Sequence, residues 1–370
     1  MRVAANQNRE ALGSAVALCF VCLAATRDVY LGGLFQRVSP AAVALVAFGA
    51  CTIIFLPVAL VCCDDALGVL RRRVRAILWV NVTSAAGWLS FLWALRSIEP
   101  CLVQILYFGV GPLSVVWIDR FFLRAVAPVT LTRAEQPIFL GLLISLVFAS
   151  IIATSGLSGL GVQPVSKSLS GVILAMAGGV TMSVSTMQCR RLNDAGIGPG
   201  LLFSLRYPVT ALAAGAFLLL SPASIPSTAF WISPLMAIAA VVVLVPSYIN
   251  QMAISLASPL TVRVMMACAP VLVFLFQTIE GRLSPSPYSL AAAVLYGLFA
   301  VLAGLIRQRV IVMANGANHR SHNPPSLGRT RRTSHDQGDD PLQQPADSNV
   351  KRGGGAVEHL GSNWRHNYPL

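Results

Sequence analysis

Charge is scarce in this chain. Only 11% of its 370 residues are Asp, Glu, Lys or Arg, against 55% hydrophobic, and the mean hydropathy is +0.70. A soluble domain of this length cannot dress its surface with so few charges, so a soluble globular fold is excluded and the bilayer is the expected solvent. Histidine is absent wherever the chain is apolar. All five (His319, His322, His335, His359 and His366) fall in a polar C-terminal stretch. The apolar part therefore has no imidazole for metal binding, proton relay or acid–base catalysis. Paired CxxC motifs are also missing. The cysteines (Cys19, Cys22, Cys51, Cys62, Cys63, Cys101, Cys189 and Cys268) lie almost wholly within apolar segments and read as small packing residues. Nothing resembles a GxxxxGK[ST] loop, so direct use of ATP is excluded. Outside the tail the only acidic doublet is Asp64-Asp65, in a loop, which argues against an intramembrane enzyme acting on lipids. No catalytic residue, metal ligand or cofactor is expected.

Long apolar runs are what the sequence does have. A helix needs about 20 mainly apolar residues to cross roughly 30 Å of hydrocarbon. That window, punctuated by Gly, Pro and charge clusters, predicts spans at 12–33, 40–62, 76–95, 100–118, 137–157, 169–188, 200–220, 230–253, 259–279 and 286–306. The fold class is an all-α polytopic membrane protein of ten transmembrane helices. Arg2 and Arg9 precede an apolar run ending in Ala24-Ala25, as in a signal peptide. The repeat described below needs that helix, so it counts as a span.

The net charge, 27 − 14 = +13, sits mostly between apolar runs and speaks of orientation, with no nucleic-acid partner implied. With the N-terminus inside, the inner loops hold eleven arginines (among them Arg71, Arg72, Arg73, Arg75, Arg190 and Arg191). The outer loops hold four basic residues: Arg37, Arg96, Lys167 and Arg282. Both termini are expected in the cytoplasm, in a cell (inner or plasma) membrane. Residues 307–370, rich in Asn, His, Arg, Pro, Gly and Asp, form an expected disordered cytoplasmic tail.

Sliding the second half over the first gives a persistent offset. Pro40 meets Pro199, Phe48 meets Tyr207, Ala94 meets Ala253 and Pro100 meets Pro259, each 159 residues apart. After a one-residue slip Pro112 meets Pro270. Proline is costly inside a helix, so three proline pairs in order weigh against chance. Five spans per half is an odd number, so the second copy enters the membrane from the opposite side. The expected organisation is an N-terminus at 1–11, one repeat at 12–157, a connection at 158–168, an inverted repeat at 169–306 and the tail.

The stretches Pro100-Cys-Leu-Val to Gly-Pro112 and Ser258-Pro259-Leu-Thr-Val to Ala-Pro270 each open a helix with Pro and repeat it past the middle. Together with Glu280-Gly-Arg-Leu-Ser284, they resemble the drug/metabolite transporter superfamily, in particular its EamA-like branch. The resemblance covers about residues 12–306. It implies two inverted five-helix repeats about a central site and export of small metabolites, amino-acid-like compounds or toxic molecules. Two features depart from the family pattern: Ala47-Phe48 stands where an Arg and an aromatic are frequent, and Asp119-Arg120 closes the fourth span.

An ionisable residue inside a span costs about 2.5–3.5 kcal/mol on insertion scales and so marks a candidate site. Arg206 lies seven residues into its span, roughly 10 Å deep. It is either a residue facing an anionic group or a structural ion pair. Asp28 and Arg27 come late in the first span. Neighbours on a helix diverge by about 100°, so each is expected to engage another helix, with Asp28 as a coupling group or ion-pair partner. Arg263 and Gln104 occupy nearly equivalent places in the two repeats. Asn81, Trp88, Tyr107, Tyr248, Asn250 and Gln251 add hydrogen bonds and stacking, while Pro112, Pro246 and Pro270 are expected hinges. The partners implied are a small-molecule substrate and the lipid bilayer, with monomer or homodimer left open. A transporter-like scaffold or sensor and an intramembrane enzyme are the alternatives.

Overall fold

Proline writes the start of half of the helices. A computed structural model of the chain describes residues 2–62, 66–118, 133, 135–222, 225–231, 233–256 and 265–321. The helices are α1 (Arg2–Leu34), α2 (Pro40–Cys62), α3 (Ala66–Ser97), α4 (Pro100–Ile118), α5 (Gln136–Thr154) and α6 (Val165–Asp194). They continue as α7 (Pro199–Leu205), α8 (Pro208–Leu220), α9 (Thr228–Trp231), α10 (Pro234–Leu256), α11 (Ala269–Glu280) and α12 (Pro287–Ser321). Pro40, Pro100, Pro199, Pro208, Pro234 and Pro287 each open one. Its ring presets the helical φ, and its missing N–H would be unpaired in the first turn anyway. Glycine supplies the ends: Gly156, Gly196 and Gly281, at φ of 78°, 90° and 73°, follow α5, α6 and α11 in the left-handed conformation that stops a helix.

Among the described residues eight helical stretches are long and apolar enough to cross a membrane, one of them Pro199–Leu220 taken across α7 and α8. Two shorter apolar stretches, Pro100–Ser114 and Ala269–Glu280, fall where the fourth and ninth spans were expected. Among the described residues there is no strand. The surface is inverted relative to a soluble protein. Ile53, Val61, Leu219 and Leu220 are exposed, while Asp28, Glu99 and Gln104 are completely buried. Apolar outside and ionisable inside is the signature of a helical membrane protein.

Several boundaries differ from the sequence reading: α1 starts at Arg2 instead of 12, α3 at Ala66 instead of 76, and α6 runs Val165–Asp194 instead of 169–188. The seventh span is two helices, α7 and α8, interrupted at Arg206-Tyr207. The eighth begins at Pro234, because 228–231 form a separate short helix. Pro270 is the second residue of α11, in its first turn, instead of lying mid-span, whereas α12 continues to Ser321, past the expected end at 306. Asp64, Asp65, Asp119, Arg120, Pro259 and Arg263 lie outside the described residues.

The centre is assembled from non-sequential neighbours. α3 lies along α6 and α1 along α10, while α4 also packs on α6 and α1 on α11. α2 contacts α8 and α10, α3 contacts α8, and α4 contacts α11. Glycine permits the closest of these approaches. A Cβ on Gly179 of α6 would overlap the carbonyl oxygen of Tyr107 on α4, and one on Gly178 would come within 3.1 Å of the Gly87 carbonyl oxygen on α3. Small residues at helix contacts are the usual device where lipid removes the hydrophobic drive for association.

Candidate functional site

Pro208 sits in the middle of an apolar run and cannot donate a backbone hydrogen bond, so the run breaks there into α7 and α8. A broken helix at membrane depth leaves backbone groups that lipid cannot satisfy. Asn81 of α3 satisfies two of them. Its Nδ2 donates to the Leu205 carbonyl at 2.5 Å and its Oδ1 accepts the Val209 N–H at 3.3 Å. The sequence had offered Asn81 as a ligand-binding polar group; here it clamps both sides of the break.

Arg206 caps the end of α7 at this break and is 7% exposed. Its Nε donates to Ser84 Oγ at 2.7 Å, and Ser84 in turn pairs with Ser185 of α6 at 2.6 Å. Its Nη2 is directed at Met182 Sδ, 2.7 Å away, and its Cζ lies 5.7 Å from the Tyr207 ring centroid. A guanidinium carries five N–H donors. Among the described residues no carboxylate pairs with Arg206, so its positive charge is buried without a counter-charge.

Arg27 is treated differently. Its Nε donates to Asp28 Oδ1 at 2.7 Å, and Gln104 Nε2 donates to Asp28 Oδ2. Each thus engages another helix as expected, Asp28 through Gln104 of α4 and Arg27 through α3, but the two also pair with each other, which the sequence reading did not expect. The long arginine side chain folds back on its neighbour, because Asp28 is completely buried and the local guanidinium is the cation that can reach it. The Arg27 plane is covered by Trp88 and Phe91, with Cζ at 5.2 and 5.5 Å from their centroids. Such cation–π contacts compensate a desolvated cation further. Gln104 Oε1 is left buried without a partner.

An aromatic chain joins the two arginines. Trp88 lies 5.2 Å from Phe48, and Phe48 stacks on Tyr207 at 4.9 Å with planes 25° apart. Phe91 lies 4.7 Å from Tyr107. Of the residues expected from sequence, Arg27, Asp28, Trp88, Gln104, Tyr107 and Arg206 thus come together on α1, α3, α4 and the α7–α8 break. Tyr248 does not join them: it is 44% exposed and packs on Phe55 and Phe203. Asn250 and Gln251 lie on α10, the first with a buried, unpartnered Oδ1 and the second buried. Pro112 and Pro246 lie inside continuous helices α4 and α10.

Sequence reasoning passed over Ser84, Met182, Ser185 and Pro208. Only Pro208, a proline within an apolar run, carried a signal that could have been read. It also passed over Glu99, a completely buried carboxylate preceding Pro100, which stood in the proline motif and drew no attention beside it.

No family model matches the sequence, and no curated protein matches it. Among solved structures, one crystal structure of a protein is 19% identical, with a TM-score of 0.54 over 82% of this chain and 99% of its own. At that identity the likeness speaks for the fold alone.

Proposed function

We propose that this protein is a secondary transporter of the EamA-like, drug/metabolite type, which moves small anionic or amino-acid-like metabolites by alternating access, in the direction of export. The observation that carries the reading is Arg206: a buried guanidinium, uncompensated among the described residues, held at an interruption of a spanning helix. An uncompensated buried cation is unfavourable in the empty protein and becomes favourable once a carboxylate or phosphate supplies the missing charge and accepts the free N–H groups. Interrupted helices at the membrane midplane recur in transporters for this purpose.

The helix packing supports two inverted halves. If 12–157 and 169–306 are exchanged, the α3–α6 contact maps onto α10–α1 and α4–α6 onto α11–α1. The α2–α10 contact likewise maps onto that of α3 with α7 and α8, while α2–α8 and α4–α11 map onto themselves. Two similar halves of opposite orientation supply two arrangements of similar energy, one open to each side. The ten-span count, two cytoplasmic termini and a cell-membrane location belong to the same reading, as does the absence of a chemical step.

The test is thermal stabilisation of purified protein by a panel of organic acids, amino acids, phosphorylated metabolites and nucleotide-linked sugars, followed by flux in proteoliposomes. One anionic class is expected to raise the melting temperature of the wild type, since a ligand at a hundred times its Kd adds about 2.7 kcal/mol. The shift should vanish in Arg206→Gln. Equal transport of an identified cargo by wild type and Arg206→Gln would reject Arg206 as the binding cation.

A further inference from the structure

Away from the arginines, one end of the bundle is sewn together around a single carboxylate. Glu99 is completely buried at the start of α4. Its Oε2 accepts the Gly159 N–H at 2.8 Å and the Ser289 hydroxyl at 2.7 Å, and its Oε1 accepts Gln277 Nε2. The three donors come from three segments: the α5–α6 connection, α12 and α11. Two further bonds close the same end, from Ser286 Oγ to the Leu157 carbonyl at 2.6 Å and from Ser284 Oγ to the Gly159 carbonyl at 3.2 Å. Gly159 has no room for a side chain, since a Cβ there would lie 2.6 Å from the Ser284 carbonyl oxygen.

No basic side chain among the described residues pairs with this carboxylate. On the 281–286 segment, Arg282 engages Glu280 of α11 at 3.4 Å, and Lys167 of α6 engages Gln163 at 3.3 Å. Arg96 of α3 is exposed, and Arg27 and Asp28 of α1 are paired with each other. On α4 the neighbouring Cys101 thiol is directed at the carbonyls of Pro270 and Ser289. On α12 Tyr288 is 49% exposed, and the 155–164 stretch has no titratable side chain. The buried negative charge is thus compensated by hydrogen-bond donors alone.

Those donors sit on segments that must separate if this end opens. A carboxylate that loses them while remaining against apolar helices needs another source of compensation. A metal ion would require converging oxygen ligands, whereas the groups aimed at Glu99 are N–H and O–H donors. A proton needs one acceptor. Gln277, 1% exposed, holds an unpartnered Oε1 on the very amide that grips Glu99. A half-turn of that amide offers the acceptor a carboxylic acid would use.

We propose that Glu99 is a proton-binding site, loaded when the end of the bundle bearing the α5–α6 connection opens and emptied when it closes. The chemistry is a single O–H bond, formed with a proton from the adjoining water and returned to it on closure. The proposal rests on the transporter reading for its purpose, which is to couple the opening of one face to a proton gradient.

The experiment uses full-length protein in liposomes, with the proton as probe. Leu283, 6% exposed beside Gly159, is replaced by Cys as a reporter of opening, and Val162, 89% exposed, by Cys as a reference for the pH dependence of the reagent. Labelling by a water-soluble maleimide is read at each site by peptide mass spectrometry. After normalisation to the reference, Leu283→Cys should react about tenfold faster near pH 5.5 than near pH 8. Glu99→Gln, the fixed neutral form, should react at the fast rate throughout. Ser289→Ala, which removes one donor, should move the midpoint of the profile toward alkaline pH. Ser286→Ala, which loosens the same end without touching Glu99, should raise the rate with no change of midpoint.

A flat profile in the otherwise wild-type reporter would overturn the proposal, as would an unchanged profile in Glu99→Gln. If Glu99→Gln fails to fold, the Ser289→Ala and Ser286→Ala pair decides: equal midpoints would overturn it. No cargo is needed, so a flat profile leaves the transporter reading standing, and an unresponsive cargo panel leaves the proton site standing.

Discussion

The two central arginines are equally buried and opposite in treatment. Arg27, 4% exposed, has Asp28 against its Nε and two aromatic faces over its plane. Arg206, 7% exposed, has a serine hydroxyl, a thioether and one ring. The first is a charge already neutralised, so its contribution is to the fold. The second has no counter-charge among the described residues, which is why the proposed function assigns the anion to it. Burial alone does not separate structural from ligand-binding cations; the inventory of partners does.

The largest expected effect comes from breaking the compensated pair on one side. Asp28→Ala leaves Arg27 buried without its counter-charge and should destabilise the protein by about 3–5 kcal/mol, seen as a lower melting temperature in detergent. Next is the clamp between the two regions: Asn81→Leu strands the Leu205 carbonyl and the Val209 N–H, at a cost of about 1–3 kcal/mol in the same assay. Arg206→Met removes a charge that has no counter-charge among the described residues and gives up one hydrogen bond to Ser84, so the empty protein should stay within about 1 kcal/mol of wild type while losing anion-induced stabilisation. The smallest effect sharpens the contrast. Arg27→Met combined with Asp28→Leu removes both members of the pair and should lie within about 1 kcal/mol of wild type, much closer than Asp28→Ala alone. A strong loss of stability in Arg206→Met would place Arg206 in the structural class with Arg27.

The outline of the fold was legible in the sequence because apolar length and proline placement act locally. Pro40 and Pro100 mark helix starts that were read correctly from position alone, and the start at Pro199 was read one residue late. The two shorter helices fell where spans were expected for the same reason. Side-chain partnership was not legible in this way. The Arg27–Asp28 pair was misjudged because helical geometry separates the Cβ directions of neighbours but says nothing of how far a long guanidinium can fold back. Asn81 looked like a ligand-binding amide because its role depends on a break in another helix 124 positions away. Glu99 was invisible for a similar reason. Its donors, Gly159, Gln277 and Ser289, are 60 to 190 residues distant, and only folding brings them to it.

The stacked rings of Phe48 and Tyr207 are the pair that the 159-residue offset makes equivalent. If the two halves descend from one duplicated ancestor, this is the place where each copy touches its own counterpart. In the unduplicated ancestor, assembled as an antiparallel pair, one aromatic would have rested on itself. A single substitution there would have been felt twice, which confines such a position to side chains that pack well against their own likeness. On that reading, fusion into one chain would have lifted the restriction and left Phe opposite Tyr: one ring plain, the other with a hydroxyl, set next in sequence to Arg206, whose counterpart in the first half is Ala47.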